Sequence, residues 1–211
     1  ENTGPYAMES KGGSRTGRLT EMGEILSAPE YGCKVLLEPY ALQQTGQRIW
    51  IVPELSEAGL KAGYDGLDET AAGGADSLAL MKAYGQSSRE WLNRLKDNGE
   101  IKILLTHLPF PTDLTEDQWQ SMGHLDYSLI LAGHYHGGQY RIPGYGALYL
   151  PGANGGQGVW FPDQKDVMGL SQVNGIPQYI SAGLGAGFGI RILNFRVFNT
   201  PELNLITLRR G

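Results

Sequence analysis

The stretch 127–141 reads YSLILAGHYHGGQYR, and it decides the fold because a strand pattern runs directly into a histidine-rich turn. The mostly apolar run up to Ala132 predicts a short buried strand. Gly133 ends it, because a residue without a side chain permits a sharp turn. His134 and His136 follow, and two imidazoles at this spacing can reach two metal ions from one rigid edge. The alternative is two surface histidines in a glycine-rich turn.

A second strand signal lies upstream and also ends in a histidine. The apolar run IKILL at 101–105 is followed by Thr106, His107, Leu108 and Pro109, and the proline prevents the strand from continuing. Ligands of open α/β sheets bind at the carboxyl ends of the strands. Histidine is a common ligand of Zn, Fe and Mn. The sequence therefore predicts a metal site there, although His107 alone would also fit a buried core histidine.

The rest of the chain alternates helix and strand patterns, which is typical of an α/β protein. Helices are predicted over 16–27, over 76–98 and from Thr115 to near Gly123, and the last two each lead into one of the histidine-bearing strands. Further strands are predicted at 33–37, 48–52, 178–182, 191–195 and 202–208. Pro39 is expected to limit the first of these, and a turn is expected at 43–46.

Three stretches, THLP, LILAGHYHGGQYRIP and QYISAGLGAGFGIRILNFRVFNTPELNLITL, resemble the C-terminal half of the calcineurin-like metallophosphoesterases. They are most similar to the bacterial branch typified by the YkuE and YaeI phosphodiesterases and the related UDP-diacylglucosamine pyrophosphatases. The resemblance is close over 101–208. Over 1–100 it is looser and is limited to the order of the helices and strands. It implies a two-layer β-sandwich flanked by helices (αββα), of which 1–211 would be the C-terminal part of a single domain.

The N-terminal motifs of that family do not occur in this sequence. Asp-x-His, Gly-Asp and Gly-Asn-His are all missing, and Glu1 stands where the acidic residue after Gly-Asn-His would fall. The resemblance therefore implies that an N-terminal segment of the same protein, or a companion chain, completes the fold and the metal site. Glu1 would orient the catalytic histidine of that segment.

The resemblance implies hydrolysis of phosphomonoester, phosphodiester or pyrophosphate bonds by two divalent metal ions, Mn, Fe or Zn, held about 3.5–4 Å apart. His107 and His134 would be ligands of one ion and His136 a ligand of the other. The two glycines after His136 are expected to leave the surroundings of the site uncrowded. The substrate-binding residues would be Gly137, Gly138, Gln139 and Arg191.

Composition restricts the partners of the chain. The net charge of −5 and the pI near 5.4 argue against nucleic acid, because a phosphate backbone needs clustered Lys and Arg. A phosphate-ester substrate is still expected, because metal ions supply positive charge locally. Cys33 is a single cysteine and cannot form an intrachain disulfide. No apolar run approaches the 18 or so residues of a membrane span. The sequence leaves the location unknown, with the cytoplasm or the membrane periphery as the preferred expectation.

Three further glycine-containing stretches resemble possible sites. The run GLGAGFG at 183–189 lacks the Gly spacing of a dinucleotide loop and is expected instead to lie near the metal edge. The aromatic stretch 143–161 is predicted either to hold the lipid or sugar part of a substrate or to pin a long loop to the core. The loop 54–74 carries Asp65, Asp68 and Glu69, which fit a solvated acidic loop better than a calcium loop.

Two other functions remain open on sequence grounds. One is a mononuclear zinc hydrolase whose three ligands are the histidines at 107, 134 and 136. The other is a non-catalytic binding module that has kept the fold and lost the chemistry. The number of bound metal ions separates the first from a dinuclear enzyme, and an assay of phosphodiester hydrolysis separates the second.

Overall fold

The computed structural model describes residues 36, 38–44, 46–61, 75–150, 158–186 and 195–209. These residues form a mixed α/β structure, as the sequence predicted. The chain divides into two compact units, the first up to Lys102 together with 117–126, and the second formed by 103–116 and 127–211. The predictions that lie outside the described residues concern Glu1, the helix 16–27, Cys33, the acidic residues Asp65, Asp68 and Glu69, Arg191, and nearly all of the strands 33–37 and 191–195.

The first unit contains an antiparallel hairpin of β1 (Tyr40–Gln44) and β2 (Gln47–Pro53), with Gln44 opposite Gln47. β2 includes the strand predicted at 48–52. The first strand of the hairpin follows Pro39, whereas the sequence predicted a strand that ends before it. A proline is tolerated immediately before a strand because its fixed φ is compatible with extended backbone and it has no N–H to pair.

The described residues up to 126 also contain the helices α1 (Glu57–Leu60), α2 (Ala75–Leu95) and α3 (Glu116–Met122). α2 confirms the helix predicted at 76–98, and its buried residues Met81, Leu92 and Leu95 lie on one face. α3 confirms the short helix predicted after Thr115. Among the residues that the structure describes, no helix is long and apolar enough to span a membrane.

In the second unit four neighbouring strands follow one another in the order β3 (Ile101–Leu105), β4 (Leu129–Ala132), β10 (Ile176–Ile180) and β9 (Gly169–Val173), with both parallel and antiparallel pairs. β3 and β4 are parallel, with Leu105 opposite Leu131, and β4 is parallel to β10. β3 matches its predicted bounds, and β4 begins two residues later than predicted. Parallel strands end at the same edge of a sheet, so the residues after β3 and β4 are brought together.

The sequence analysis missed β9 (Gly169–Val173), which forms an antiparallel hairpin with β10. Asn174 and Gly175 form the turn, with φ of 47° and 76°, the positive values of a two-residue hairpin turn. The dipeptide Asn-Gly is the signal that could have revealed it. The hairpin also begins β10 two residues earlier than the predicted strand 178–182.

The aromatic stretch 143–161 was expected to consist of loops and instead contributes to two small antiparallel pairs. β5 (Arg141–Ile142) pairs with β6 (Gly146–Ala147), and β7 (Tyr149–Leu150) pairs with β8 (Val159–Trp160). A small apolar cluster underlies them, formed by Ala147, Leu150 and Val167 with Tyr135 and Met168 packed against it.

The strand predicted at 202–208 is wrong, because this segment is not part of a strand in the structure. Its residues do alternate in exposure: Leu203 and Leu205 are 88% and 94% exposed, whereas Glu202 and Asn204 are half-buried. The two polar side chains bind Tyr179, Ser181 and the Ala182 backbone near the end of β10. These side-chain hydrogen bonds, together with one backbone bond from the Glu202 N–H to the Gly183 carbonyl at 2.9 Å, hold the segment in place without a strand ladder.

Candidate metal centre

The parallel strands β3 and β4 place His107 and His134 at the same edge of the sheet, each two residues beyond its strand. The ladder extends past the strands, because the Thr106 N–H donates to the Leu131 carbonyl at 3.0 Å. The Gly133 N–H then donates to the His107 carbonyl at 3.4 Å. The two histidines are thus fixed by backbone hydrogen bonds, as the strand patterns predicted.

The imidazoles of His107 and His134 are in direct contact. Nδ1 of His134 lies 2.8 Å from Nε2 of His107, and the ring planes are inclined by 74°. In the neutral pair one of these nitrogens donates a hydrogen bond to the other. A cation with bonds to nitrogen of about 2.0–2.1 Å can also bind two nitrogens that lie this close together. The donor pair therefore fits a transition-metal ion.

The surroundings keep this pair uncharged. Partial burial, followed by the neighbouring His107, lowers the pKa of His134 from its ordinary value of 6.5 to about 4. Burial also lowers the pKa of His107. Both rings are therefore neutral at pH 7, which is the form that binds metals. Within the described structure Nε2 of His134 is buried and lacks a hydrogen-bond partner, so this ring has an unused lone pair or N–H.

The ring and the backbone carbonyl of His136 each have a hydrogen-bond partner. Its Nδ1 lies 3.0 Å from the Gly185 carbonyl, which can only accept, so Nδ1 carries the proton. Its own carbonyl accepts a hydrogen bond of 2.6 Å from Asn199 Nδ2. Electrostatic repulsion from His136 is a smaller cause of the lowered pKa of His107 and His134. The part of the chain described here contains no group of three or more His, Cys, Asp or Glu side chains arranged to hold one metal ion.

The turn that carries these histidines has an unusual backbone. His134, His136 and Gln139 have φ of 71°, 49° and 31°, in the left-handed region that non-glycine residues rarely adopt. Each such residue costs on the order of 1–3 kcal/mol and persists only where the surrounding structure enforces it. Strain of this kind is concentrated at active sites and ligand sites, so its position here agrees with the predicted functional turn.

Gly137 and Gly138 lie inside the protein, and the expectation that they leave the site uncrowded is wrong. Both have positive φ, and a Cβ on Gly138 would lie 2.2 Å from Cβ of Ala147. A Cβ on Gly137 would lie 2.8 Å from Oδ1 of Asn199. The two glycines therefore let neighbouring segments pack closely against the turn. Their contact with a substrate stays a prediction, as does that of Gln139, whose side chain donates to the Tyr140 hydroxyl at 3.3 Å.

Sequence analysis missed Arg196 and Asn199, which support the turn from the C-terminal segment. Asn199 binds the His136 carbonyl, and Arg196 donates to carbonyls of the loop that follows β10. The sequence analysis predicted strands at 191–195 and 202–208 and made no prediction for the residues between them. An Asn two residues before a proline is a turn signal that marks a side chain free to bind backbone. The predicted nearness of the 183–189 loop to the site is confirmed at Gly185.

The fourth histidine, His124, belongs to the first unit, and sequence analysis had assigned it no site role. Its ring stacks on Trp119 with 4.7 Å between centroids, and its Nδ1 lies 3.4 Å from the Leu55 carbonyl. Burial lowers its pKa as well. His124 is therefore a suitable control for His107 and His134, because its environment is similar but it lies elsewhere in the chain.

The aromatic side chains of 143–161 do not support the loop-pinning alternative. Trp160 and Phe161 are 68% and 63% exposed, and Tyr145 is 48% exposed. Tyr145 contacts Phe161 edge to face, and Tyr149 contacts Trp160. Side chains that pin a loop would be buried against the core, so a role in holding a ligand remains the better prediction.

The chain is similar to a curated enzyme, phosphodiesterase YaeI of Escherichia coli (strain K12). The two are 29% identical over 107 residues, which is 51% of this chain and 32% of that protein. The chain therefore spans about a third of the length of this curated relative. No protein-family model matches the chain, and no solved structure matches it significantly.

Proposed function

We propose that this chain forms part of a metal-dependent phosphodiesterase of the calcineurin-like metallophosphoesterase type, with an αββα sandwich and a dinuclear metal centre. The similarity to a phosphodiesterase supports the reaction class. The contact between His107 and His134 at the end of two parallel strands supports the metal centre, and it is the observation on which the proposal chiefly depends.

In the proposed centre His107 and His134 bind one ion and His136 binds the other. The tight contact of the first two rings, with His136 held separately on Gly185, favours this division over a single ion bound by three histidines. Imidazole ligands suit Mn, Fe and Zn alike, so the identity of the metal depends on its availability. When bound, such a pair of cations polarises the phosphoryl group and activates water.

The chain's own residues prepare these ligands. Burial keeps His107 and His134 uncharged at neutral pH, so metal binding requires no net loss of a proton from the pair, only a change of tautomer in the ring that donates. The Gly185 carbonyl holds the His136 proton on Nδ1 and thereby leaves the lone pair on Nε2. The left-handed backbone of the turn, closed by Gly137 and Gly138, fixes the direction in which the rings point.

Three histidines do not complete a dinuclear centre, because such centres also need carboxylate or amide ligands. We propose that an N-terminal segment of the same protein or a companion chain supplies them, with Glu1 orienting the histidine that protonates the leaving group. The substrate is a phosphate ester, and Gly137, Gly138, Gln139 and Arg191 are its proposed contacts on this chain. The exposed aromatics Trp160 and Phe161 make a lipid-linked ester worth testing.

Hydrolysis of bis-p-nitrophenyl phosphate tests this proposal. The chain, alone and with any polypeptide that co-purifies with it, would be assayed with Mn²⁺, Fe²⁺ or Zn²⁺ and after treatment with EDTA. We expect metal-dependent release of p-nitrophenol, reduced at least 100-fold in His107→Gln and retained in His124→Gln. Turnover that survives both EDTA and His107→Gln would refute the metal mechanism. A chain that binds Mn²⁺ but never hydrolyses the ester would instead favour the non-catalytic binding module.

A further inference from the structure

Arg196 binds an unusual number of backbone carbonyls for a single side chain. Its Nε donates to the Gly185 carbonyl at 2.7 Å, and its Nη2 donates to the carbonyls of Ala182 and Gly183 at 2.5 and 2.9 Å. A planar guanidinium presents donors in a rigid fork, which matches several carbonyls of one loop at once. The loop that follows β10 is therefore shaped around this side chain.

The Gly185 carbonyl connects Arg196 to the ring of His136. The same oxygen accepts from Arg196 Nε at 2.7 Å and from His136 Nδ1 at 3.0 Å. A carbonyl oxygen has two lone pairs and can accept both bonds. Because Arg196 fixes the position of this oxygen, it also fixes the acceptor that selects the Nδ1-protonated form of His136.

A second contact runs from Arg196 to the backbone of His136. Nη1 of Arg196 lies 3.4 Å from Oδ1 of Asn199, whose Nδ2 donates to the His136 carbonyl at 2.6 Å. The contact from Arg196 to Oδ1 orients the Asn199 amide, and the NH2 on the other side of the amide then points at the His136 carbonyl. Arg196 thus acts on both the ring and the main chain of the same histidine.

We propose that Arg196 is a positioning residue that sets the tautomer and the orientation of His136 through the Gly185 carbonyl and Asn199. The role of His136 as a ligand belongs to the proposed function, on which this inference rests, but the tautomer does not depend on any metal. Partners of this kind typically change metal affinity by about 10–100-fold when they are removed, because the ligand nitrogen then loses its fixed direction.

The tautomer can be measured directly on the chain without metal. Long-range ¹H–¹⁵N correlation spectra distinguish an Nδ1–H imidazole from an Nε2–H imidazole, and His136→Gln assigns the signals. We expect His136 to be Nδ1–H in the unmodified chain. In Arg196→Gln we expect a mixture with the Nε2–H form, and in Arg196→Lys an intermediate result, because a lysine keeps the charge but does not provide the fork.

Arg141→Gln is the matched control. Arg141 also donates to a backbone carbonyl beside the turn, that of Gly137 at 2.7 Å, but from the side of β5 rather than through Gly185. We expect His136 to remain Nδ1–H in this variant. Circular dichroism spectra of all variants would verify that they are folded. Should Arg196→Gln not fold, the unmodified chain and Arg196→Lys still decide the matter.

An Nε2–H tautomer in the unmodified chain would overturn the proposal, and so would a pure Nδ1–H tautomer in folded Arg196→Gln or Arg196→Lys. Mn²⁺ titration then separates this inference from the proposed function. A tautomer change together with a 10–100-fold weaker Mn²⁺ affinity supports both proposals. A tautomer change in a chain that never binds Mn²⁺ supports the positioning role and refutes the metal site.

Discussion

Nδ1 of His134 and Nε2 of His107 lie 2.8 Å apart, although the two residues are 27 positions apart in the sequence. The contact requires at least one ring to be neutral, because two imidazolium ions would repel each other at this distance. Burial is the larger cause of the low pKa of His134, and His107 adds to it. The contact therefore predicts an unusually low titration midpoint for His134.

We expect His134 to titrate near pH 4 rather than near 6.5. Between these values the unfolded chain binds more protons at this ring than the folded chain does, so the free energy of unfolding falls as the pH is lowered from 6.5 to 4. NMR titration of the ring ¹³Cε1–H signals, assigned with His134→Gln, measures the midpoint. A midpoint at 6 or above would show that the pair is not held as described.

Gln178 closes the loop after His107 by a two-point contact. Its side chain is fully buried, and the amide both accepts from the Phe110 N–H and donates to the Phe110 carbonyl, each at 2.9 Å. We expect Gln178→Ala to lower the free energy of unfolding by about 2–4 kcal/mol, because both hydrogen bonds to the Phe110 backbone are lost together with the packing of a fully buried side chain. Urea denaturation followed by circular dichroism measures this change.

Gln172 is the matched control, because it lies on β9 in the same hairpin with an exposed side chain. Gln172→Ala is expected to change the free energy of unfolding by less than about 0.5 kcal/mol. Equal destabilisation by the two substitutions would contradict the assigned contact of Gln178.

Gly138 and Gly144 both have positive φ but differ in the space around them. A Cβ on Gly138 would lie 2.2 Å from Cβ of Ala147, whereas a Cβ on Gly144 would have no atom within 4 Å among the described residues. We expect Gly144→Ala to cost about 1–2 kcal/mol from the backbone alone. Gly138→Ala adds an overpacking cost of about 1–3 kcal/mol. Thermal denaturation should therefore give a clearly lower melting temperature for Gly138→Ala than for Gly144→Ala. A lower melting temperature for Gly144→Ala would disprove the packing of the turn.

Lys102 is a fully buried cation in the first unit, and its Nζ lies 2.7 Å from Oδ1 of Asp126 and 3.1 Å from the Glu100 carbonyl. Asp126→Ala leaves this charge without its anion and should cost about 1–3 kcal/mol, less than a fully buried pair because Asp126 is 58% exposed. Lys102→Met removes the buried charge itself and should change the free energy of unfolding by less than about 1 kcal/mol. Urea denaturation that shows the greater loss for Lys102→Met would reject this interpretation.

The parts of the fold that sequence reasoning found are those with a strong local pattern. The apolar run 101–105 and the periodic helix at 76–98 appear within a few residues of their predicted bounds. The histidine pair was predicted for the same reason, because each ring follows the end of a buried strand. Local patterns of this kind are set by neighbouring residues and can be identified without tertiary contacts.

The parts that were missed depend on contacts between distant residues. Alternation at 202–208 predicted a strand, but Glu202 and Asn204 are bound by side chains near β10 instead of by a neighbouring strand. Arg196 was overlooked because its role arises from three carbonyls of a loop that precedes it in the chain. Neither outcome can be derived from periodicity, which reports the face of a residue but not its partner.

Binding of Mn²⁺ to the purified chain, alone and together with any polypeptide that co-purifies with it, tests the metal centre most directly when it is followed by electron paramagnetic resonance. The account predicts that the unmodified chain and His124→Gln bind Mn²⁺, whereas His134→Gln binds it at least 10-fold more weakly. The comparison is matched, because both substitutions replace a half-buried histidine of lowered pKa with the same residue. Equal Mn²⁺ affinity in the three proteins, or no binding by the unmodified chain, would contradict the assignment of the histidine pair as a metal site.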